Sequence, residues 1–79
     1  PFDFHKLQGN VLYFEGITSN QQYRISLYNL AGYKVVETAA EINPSNYEVQ
    51  LPSYLSKGVY VLRIQKPNGK VMTKKIIVD

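Results

Sequence analysis

Six runs of alternating apolar and polar residues dominate this chain, and turn residues separate them. The runs are "NVLYFEGI" (10–17), "QYRISLYNL" (22–30), "YKVVET" (33–38), "NYEVQL" (46–51), "GVYVLRIQ" (58–65) and "VMTKKIIV" (71–78). A period of two sends successive side chains to opposite faces, so each run reads as a half-buried strand. In the second run Tyr23, Ile25 and Leu27 share one face and Arg24, Ser26 and Tyr28 the other. The fourth predicts Tyr47, Val49 and Leu51 inward, with Asn46, Glu48 and Gln50 outward. The fifth sets Tyr60, Leu62 and Ile64 against Val59, Val61 and Arg63.

The punctuation agrees with the period. Gly32 in "AGY" (31–33) marks a turn, and Asn68-Gly69 in "KPNGK" (66–70) is a strong hairpin signal. No stretch sustains a helical period. The best helix candidate, "ETAAEI" (37–42), is short and stops before Asn43-Pro44. The segment "LPSYLSKG" (51–58) reads as one helical turn or an irregular loop. A seventh strand is available in "FDFHKL" (2–7), where Phe2, Phe4 and Leu7 would cover an edge. Closely spaced strands with turns between them predict an all-β sandwich or barrel of six to seven strands.

The chain has 79 residues, enough for one domain. A domain this small buries only roughly 60% of its unfolded surface, so it needs an efficient core or a neighbour. Cysteine is absent, which excludes a disulfide framework, a thiolate metal site and a thiol nucleophile. Pro1 is not a natural start, so the sequence reads as a piece of a longer protein. The net charge of +3 comes largely from lysines, three of them beyond residue 66. That pattern reads as a solvated lysine-rich surface, because nucleic-acid domains cluster Arg and aromatics on one face. No nucleic-acid partner is expected.

Residues for catalysis are sparse. His5 is the sole histidine, and no nucleophile elbow surrounds Ser19, Ser26, Ser45, Ser53 or Ser56. The carboxylates of Asp3, Glu15, Glu37, Glu41, Glu48 and Asp79 are scattered over strands and loops. No cluster has metal-ligand spacing, and the glycines stand singly at strand ends. The expectation is a non-enzyme with no cofactor and no metal. Exposed tyrosines could stack on sugar, but carbohydrate platforms usually include Trp, which this chain lacks. "NVLYFEG" is similar to ENLYFQG, a protease site used in expression tags, with Glu15 at the essential glutamine. Both a native strand and a tag-derived segment fit those letters, and the alternation of Leu12 and Phe14 against Val11 and Tyr13 suits a native strand.

Three blocks in order carry a family resemblance: "YRISLYNLAGYKVVE" (23–37), "VQLPSYLSKGVYVLRIQ" (49–65) and "NGKVMTKKIIV" (68–78). They resemble the C-terminal sorting domain of type IX secretion cargo proteins of Bacteroidetes. Ile25, Leu27, Tyr28, Asn29, Leu30 and Gly32 match its first block. Leu55, Gly58, Tyr60, Leu62, Arg63 and Ile64 match the second, and Gly69, Lys74, Lys75, Ile76, Ile77 and Val78 the third. The Pro-Asn-Pro element that opens many members is absent. The resemblance divides the chain into a lead-in, residues 1–10, and the sorting domain, residues 11–79.

The resemblance implies an immunoglobulin-like antiparallel β-sandwich. It implies a signal that directs an amino-terminal cargo domain through the periplasm and across the outer membrane by the type IX translocon. A cell-surface sortase-like peptidase then typically removes the domain, leaving cargo secreted or on the cell surface. The alternative reading is an immunoglobulin-like accessory binding or adhesion module. In "VMTKKIIVD" (71–79) each face carries a lysine amid apolar residues, which suits an edge strand. Lys74, Lys75, Ile76, Ile77 and Val78 are therefore the candidate recognition residues. Gly32, Gly58, Tyr60, Arg63 and Gly69 are the motif residues expected to shape the fold. Open edges would also allow a homodimer by strand pairing.

Overall fold

The computed structural model of the chain describes residues 4–79, and all of its regular structure is β. Seven strands run in order: β1 (Phe4–Gln8), β2 (Val11–Phe14), β3 (Gln21–Asn29), β4 (Lys34–Ile42), β5 (Glu48–Gln50), β6 (Gly58–Gln65) and β7 (Val71–Val78). They form two antiparallel sheets, β1-β2-β5 and β4-β3-β6-β7. Constant-type immunoglobulin sandwiches place the fourth strand beside the fifth. Here it pairs with the third, so the fold is an immunoglobulin-like sandwich with its fourth strand switched to the larger sheet.

The core lies between the sheets and is built by the predicted alternation. Leu12 and Phe14 enter it from β2, and Tyr23, Ile25 and Leu27 from β3. Tyr60, Leu62 and Ile64 enter from β6, and Ile76 and Val78 from β7. Phe14 joins the layers, its ring 5.4 Å from Tyr23 of the other sheet, and it lies 6.1 Å, edge to face, from Phe4 beside it in its own sheet. Burying such residues is worth roughly 1.5–3 kcal/mol each, the main force available to so short a chain. The tag-like segment is thus a structural strand, with Leu12 fully enclosed.

Two readings change. The candidate helix 37–42 is strand, the second half of β4. Its residues pair with β3 from Gln21↔Ile42 to Ser26↔Glu37, and Ile42 is buried. A ladder that places alternate residues inward outweighs a weak local helix preference. Tyr47, expected inward, is 45% exposed. The Asn43–Asn46 bridge closes a tight turn, and β5 begins only at Glu48, so the alternation does not reach back to Tyr47. Of the two readings of 51–58, the loop holds: residues 51–57 form an irregular loop with a turn, and Gly58 starts β6.

The available seventh strand is β1. Phe4 is in the core and Leu7 packs against it. Phe2 and Asp3 lie outside the described residues. The β1 register skips His5 between Phe4↔Phe14 and Lys6↔Tyr13, and β4 skips Val35 between Leu27↔Val36 and Tyr28↔Lys34. These bulges twist their strands locally.

Candidate functional site: the β7 edge

The hairpin that carries β7 is set by its turn. Gly69 has φ +89°, a region that costs any residue with a Cβ. Asn68 Oδ1 accepts the Lys70 N–H at 2.9 Å, Lys66 N–H donates to Lys70 O at 2.8 Å, and Gly69 N–H donates to Lys66 O at 2.9 Å. From there β6 and β7 stay in register without a break, from Gln65↔Val71 to Gly58↔Val78.

That register decides where the backbone of β7 points. Opposed residues in an antiparallel ladder alternate between hydrogen-bonded and non-hydrogen-bonded pairs. The Lys66–Lys70 pair is hydrogen-bonded, so Met72, Lys74, Ile76 and Val78 turn their N–H and C=O groups toward β6. Val71, Thr73, Lys75 and Ile77 turn theirs away, beyond the last strand of the sheet.

The candidate recognition residues divide in the same way. Ile76 is 6% exposed and Val78 is buried, so both are core residues. Ile77, between them, is 64% exposed, and Lys75 also lies on the outer face. Lys74 has the parity of the core face, yet its side chain is exposed at the sandwich rim. Its ammonium stands 5.9 Å from the Phe4 ring centroid, a cation–π contact between sheets. A cleft of about 380 Å³ opens there, lined by Phe4, His5, Glu15, Met72, Thr73 and Lys74. Phe4 and Lys74 meet only in the fold, so no local pattern in the sequence pairs them.

The motif residues have structural places. Gly32 takes φ +92° in the β3–β4 turn. Asn29 organises that turn: its Oδ1 accepts the N–H groups of Ala31 and Tyr33, each at 3.0 Å. Gly58 opens β6. Arg63 lies on the outer face of β6, between Ser26 of β3 and Thr73 of β7. Tyr60 is nearly buried, and its hydroxyl donates to Ser56 O at 2.7 Å. This is the tyrosine corner of immunoglobulin-like sandwiches, a Tyr near the start of the sixth strand bonded to backbone just upstream. Two residues on, where antibody domains place a cysteine, stands fully buried Leu62. Ser56 carried no sequence signal, because it contributes a backbone carbonyl.

Two groups of charged side chains pair among themselves. His5 Nδ1 lies 3.2 Å from Glu15 Oε1, both exposed. Glu37 is held by Lys34 at 3.2 Å and Arg24 at 3.4 Å. The hydrogen bond and charge of Lys34 lower its carboxyl below the ordinary value, with a smaller contribution from Arg24. Among the described residues no three His, Cys, Asp or Glu side chains converge as a metal site.

Compared with known proteins, the chain matches no curated sequence. It does match a family model, the secretion system C-terminal sorting domain, over residues 10–79. That span takes in β2 to β7 and with them the turn glycines, the tyrosine corner and the lysine-bearing edge. With nearly its whole length covered, the chain belongs to the secretion system C-terminal sorting domains, the signals that route attached proteins into type IX secretion.

Proposed function

We propose that the type IX machinery reads this domain at β7, through the exposed side chains of Lys74, Lys75 and Ile77. The observation that carries this reading is the split within five consecutive residues. Ile76 and Val78 anchor the strand in the core, while its neighbouring side chains and one row of backbone groups face outward at an open edge. An edge strand fixed in this way is a rigid, accessible address. The strand directions put Asp79 and the start of β1 at opposite ends of the sandwich.

In this reading the domain is a ligand and not an enzyme. The translocon engages it from the periplasm, and a sortase-like peptidase at the cell surface cuts between cargo and sandwich. The test is a reporter fused ahead of residues 1–79 in a host with a working type IX system. The intact fusion reaches the surface. Replacing Lys74 and Lys75 together by Ser holds the reporter in the periplasm while the domain stays folded, because both side chains are exposed. Export of a stably folded double variant removes the lysines from the signal. Deleting residues 74–79 is the weaker test, since it also takes Ile76 and Val78 out of the core.

A further inference from the structure

Among the described residues, four strands have an unpaired long side: β1, β5, β4 and β7. Two of them are poor templates: the pairing of β1 is interrupted at His5, and β5 has three residues. The nine-residue β4 is bulged at Val35 near its start and keeps residues 36–42 in register. By contrast β7 runs eight residues in unbroken register, with the backbone groups of Val71, Thr73, Lys75 and Ile77 directed outward. Folded proteins usually blunt such an edge. The one device on β7 is charge, and it sits at the middle of the strand, at Lys74 and Lys75.

That position acts against a second copy. A two-fold axis that continues the sheet keeps both inner faces on one side, and directly opposed residues share a face. Each residue must then oppose one of its own parity. The two registers that overlap β7 with itself most fully place Lys74 opposite its own copy, or Lys75 opposite its own. Like charges directly opposed destabilise a strand pair. A strand with two adjacent carboxylates at its centre meets the reverse situation. One carboxylate faces Lys75 on the outer surface, and the other faces Lys74 at the mouth of the cleft lined by Phe4 and Met72. The Glu15 carboxylate across that mouth is engaged by His5 at 3.2 Å.

We propose that β7 binds an extended, acidic segment of a partner protein by strand addition, and that its two lysines select that partner over another copy of the domain. The proposal rests on the recognition reading of β7 for its biological setting, and its chemistry is tested apart from export. The probe is a synthetic peptide as long as β7, β-branched at its ends with two glutamates at its centre. A control carries two lysines there. With the 79-residue chain in solution, amide exchange is read residue by residue. The glutamate peptide slows exchange at Val71, Thr73, Lys75 and Ile77, which are fast in the free domain. It leaves Met72, Lys74 and Ile76 as slow as before. The lysine peptide binds roughly tenfold more weakly.

Thr73→Pro removes an outward N–H and none of the bonds to β6, so the domain keeps its slow amides and loses the peptide. Equal binding of the two peptides, absence of the alternating protection, or full binding by a folded Thr73→Pro domain overturns the proposal. So does sedimentation of the free chain as a dimer paired through β7. Reporter export is scored separately: its loss in the Lys74/Lys75 double variant, together with no peptide protection in the unaltered domain, leaves the sorting reading standing and sinks strand addition.

Discussion

Ile76 and Ile77 are identical side chains in adjacent positions of one strand, and the fold assigns them opposite roles. Ile76 is 6% exposed, opposite Tyr60 in the core; Ile77 is 64% exposed, opposite Val59 on the outer face. Replacing a buried Ile by Ala removes its transfer energy and leaves a cavity, at a cost of roughly 2–5 kcal/mol. Total stability for a chain this size is roughly 4–12 kcal/mol. Ile76→Ala therefore removes a large share of it and can unfold the domain. Full burial of an Ile is worth roughly 1.5–3 kcal/mol, and only about a third of Ile77 is covered, so Ile77→Ala costs at most about 1 kcal/mol. Urea unfolding followed by far-ultraviolet circular dichroism measures both, with the slope checked for constancy so that midpoints report stability. The same two variants in the reporter fusion then separate folding from recognition. Ile76→Ala loses export together with the fold, whereas Ile77→Ala loses export while folded if the outer face is read. Equal destabilisation by the two substitutions refutes the assignment of faces, and with it the division of β7 into anchor and address.

Other expectations follow from single contacts. Tyr60→Phe deletes the hydroxyl that donates to Ser56 O and lowers stability by about 1 kcal/mol in urea, with the strand content unchanged; an unaffected midpoint removes the tyrosine corner from the account. Gly69→Ala meets no atom within 4 Å of the new Cβ, so its cost of about 1–2 kcal/mol is backbone strain at φ +89°, and Gly69→Asn costs less. For Glu37, whose folded carboxyl titrates below its ordinary 4.5, the ion pairs contribute fully above that value, and the contribution is lost as pH falls through the lower folded value. Glu37→Gln flattens this part of the acid dependence of stability, and an NMR titration of Glu37 at the ordinary value contradicts the pairing with Lys34.

Much of the sandwich was legible because strand period and core side are one fact in a small β domain. Tyr23, Ile25 and Leu27, then Tyr60, Leu62 and Ile64, alternate in the letters and fill the core in the fold. The Asn68-Gly69 and Gly32 turns were legible because positive φ is a local demand that few residues meet. The extent of β4 was not. Residues 37–42 have no decisive local preference, and their pairing with β3 supplies one. Tyr47 misled because the alternation does not show where β5 starts.

The letters alone carried the all-β class, the two-residue alternation of most strands, the hairpin turns and the mixed, edge-like character of "VMTKKIIVD". These are properties of near neighbours along the chain. The edge position of β7 was already legible in its lysines, whereas the fold alone showed that β4 joins the larger sheet and that Lys74 stands over Phe4 across the sandwich. Each depends on which distant segments share a sheet or a rim, and strand pairing is set by the closing of the whole core rather than by the residues of either strand alone.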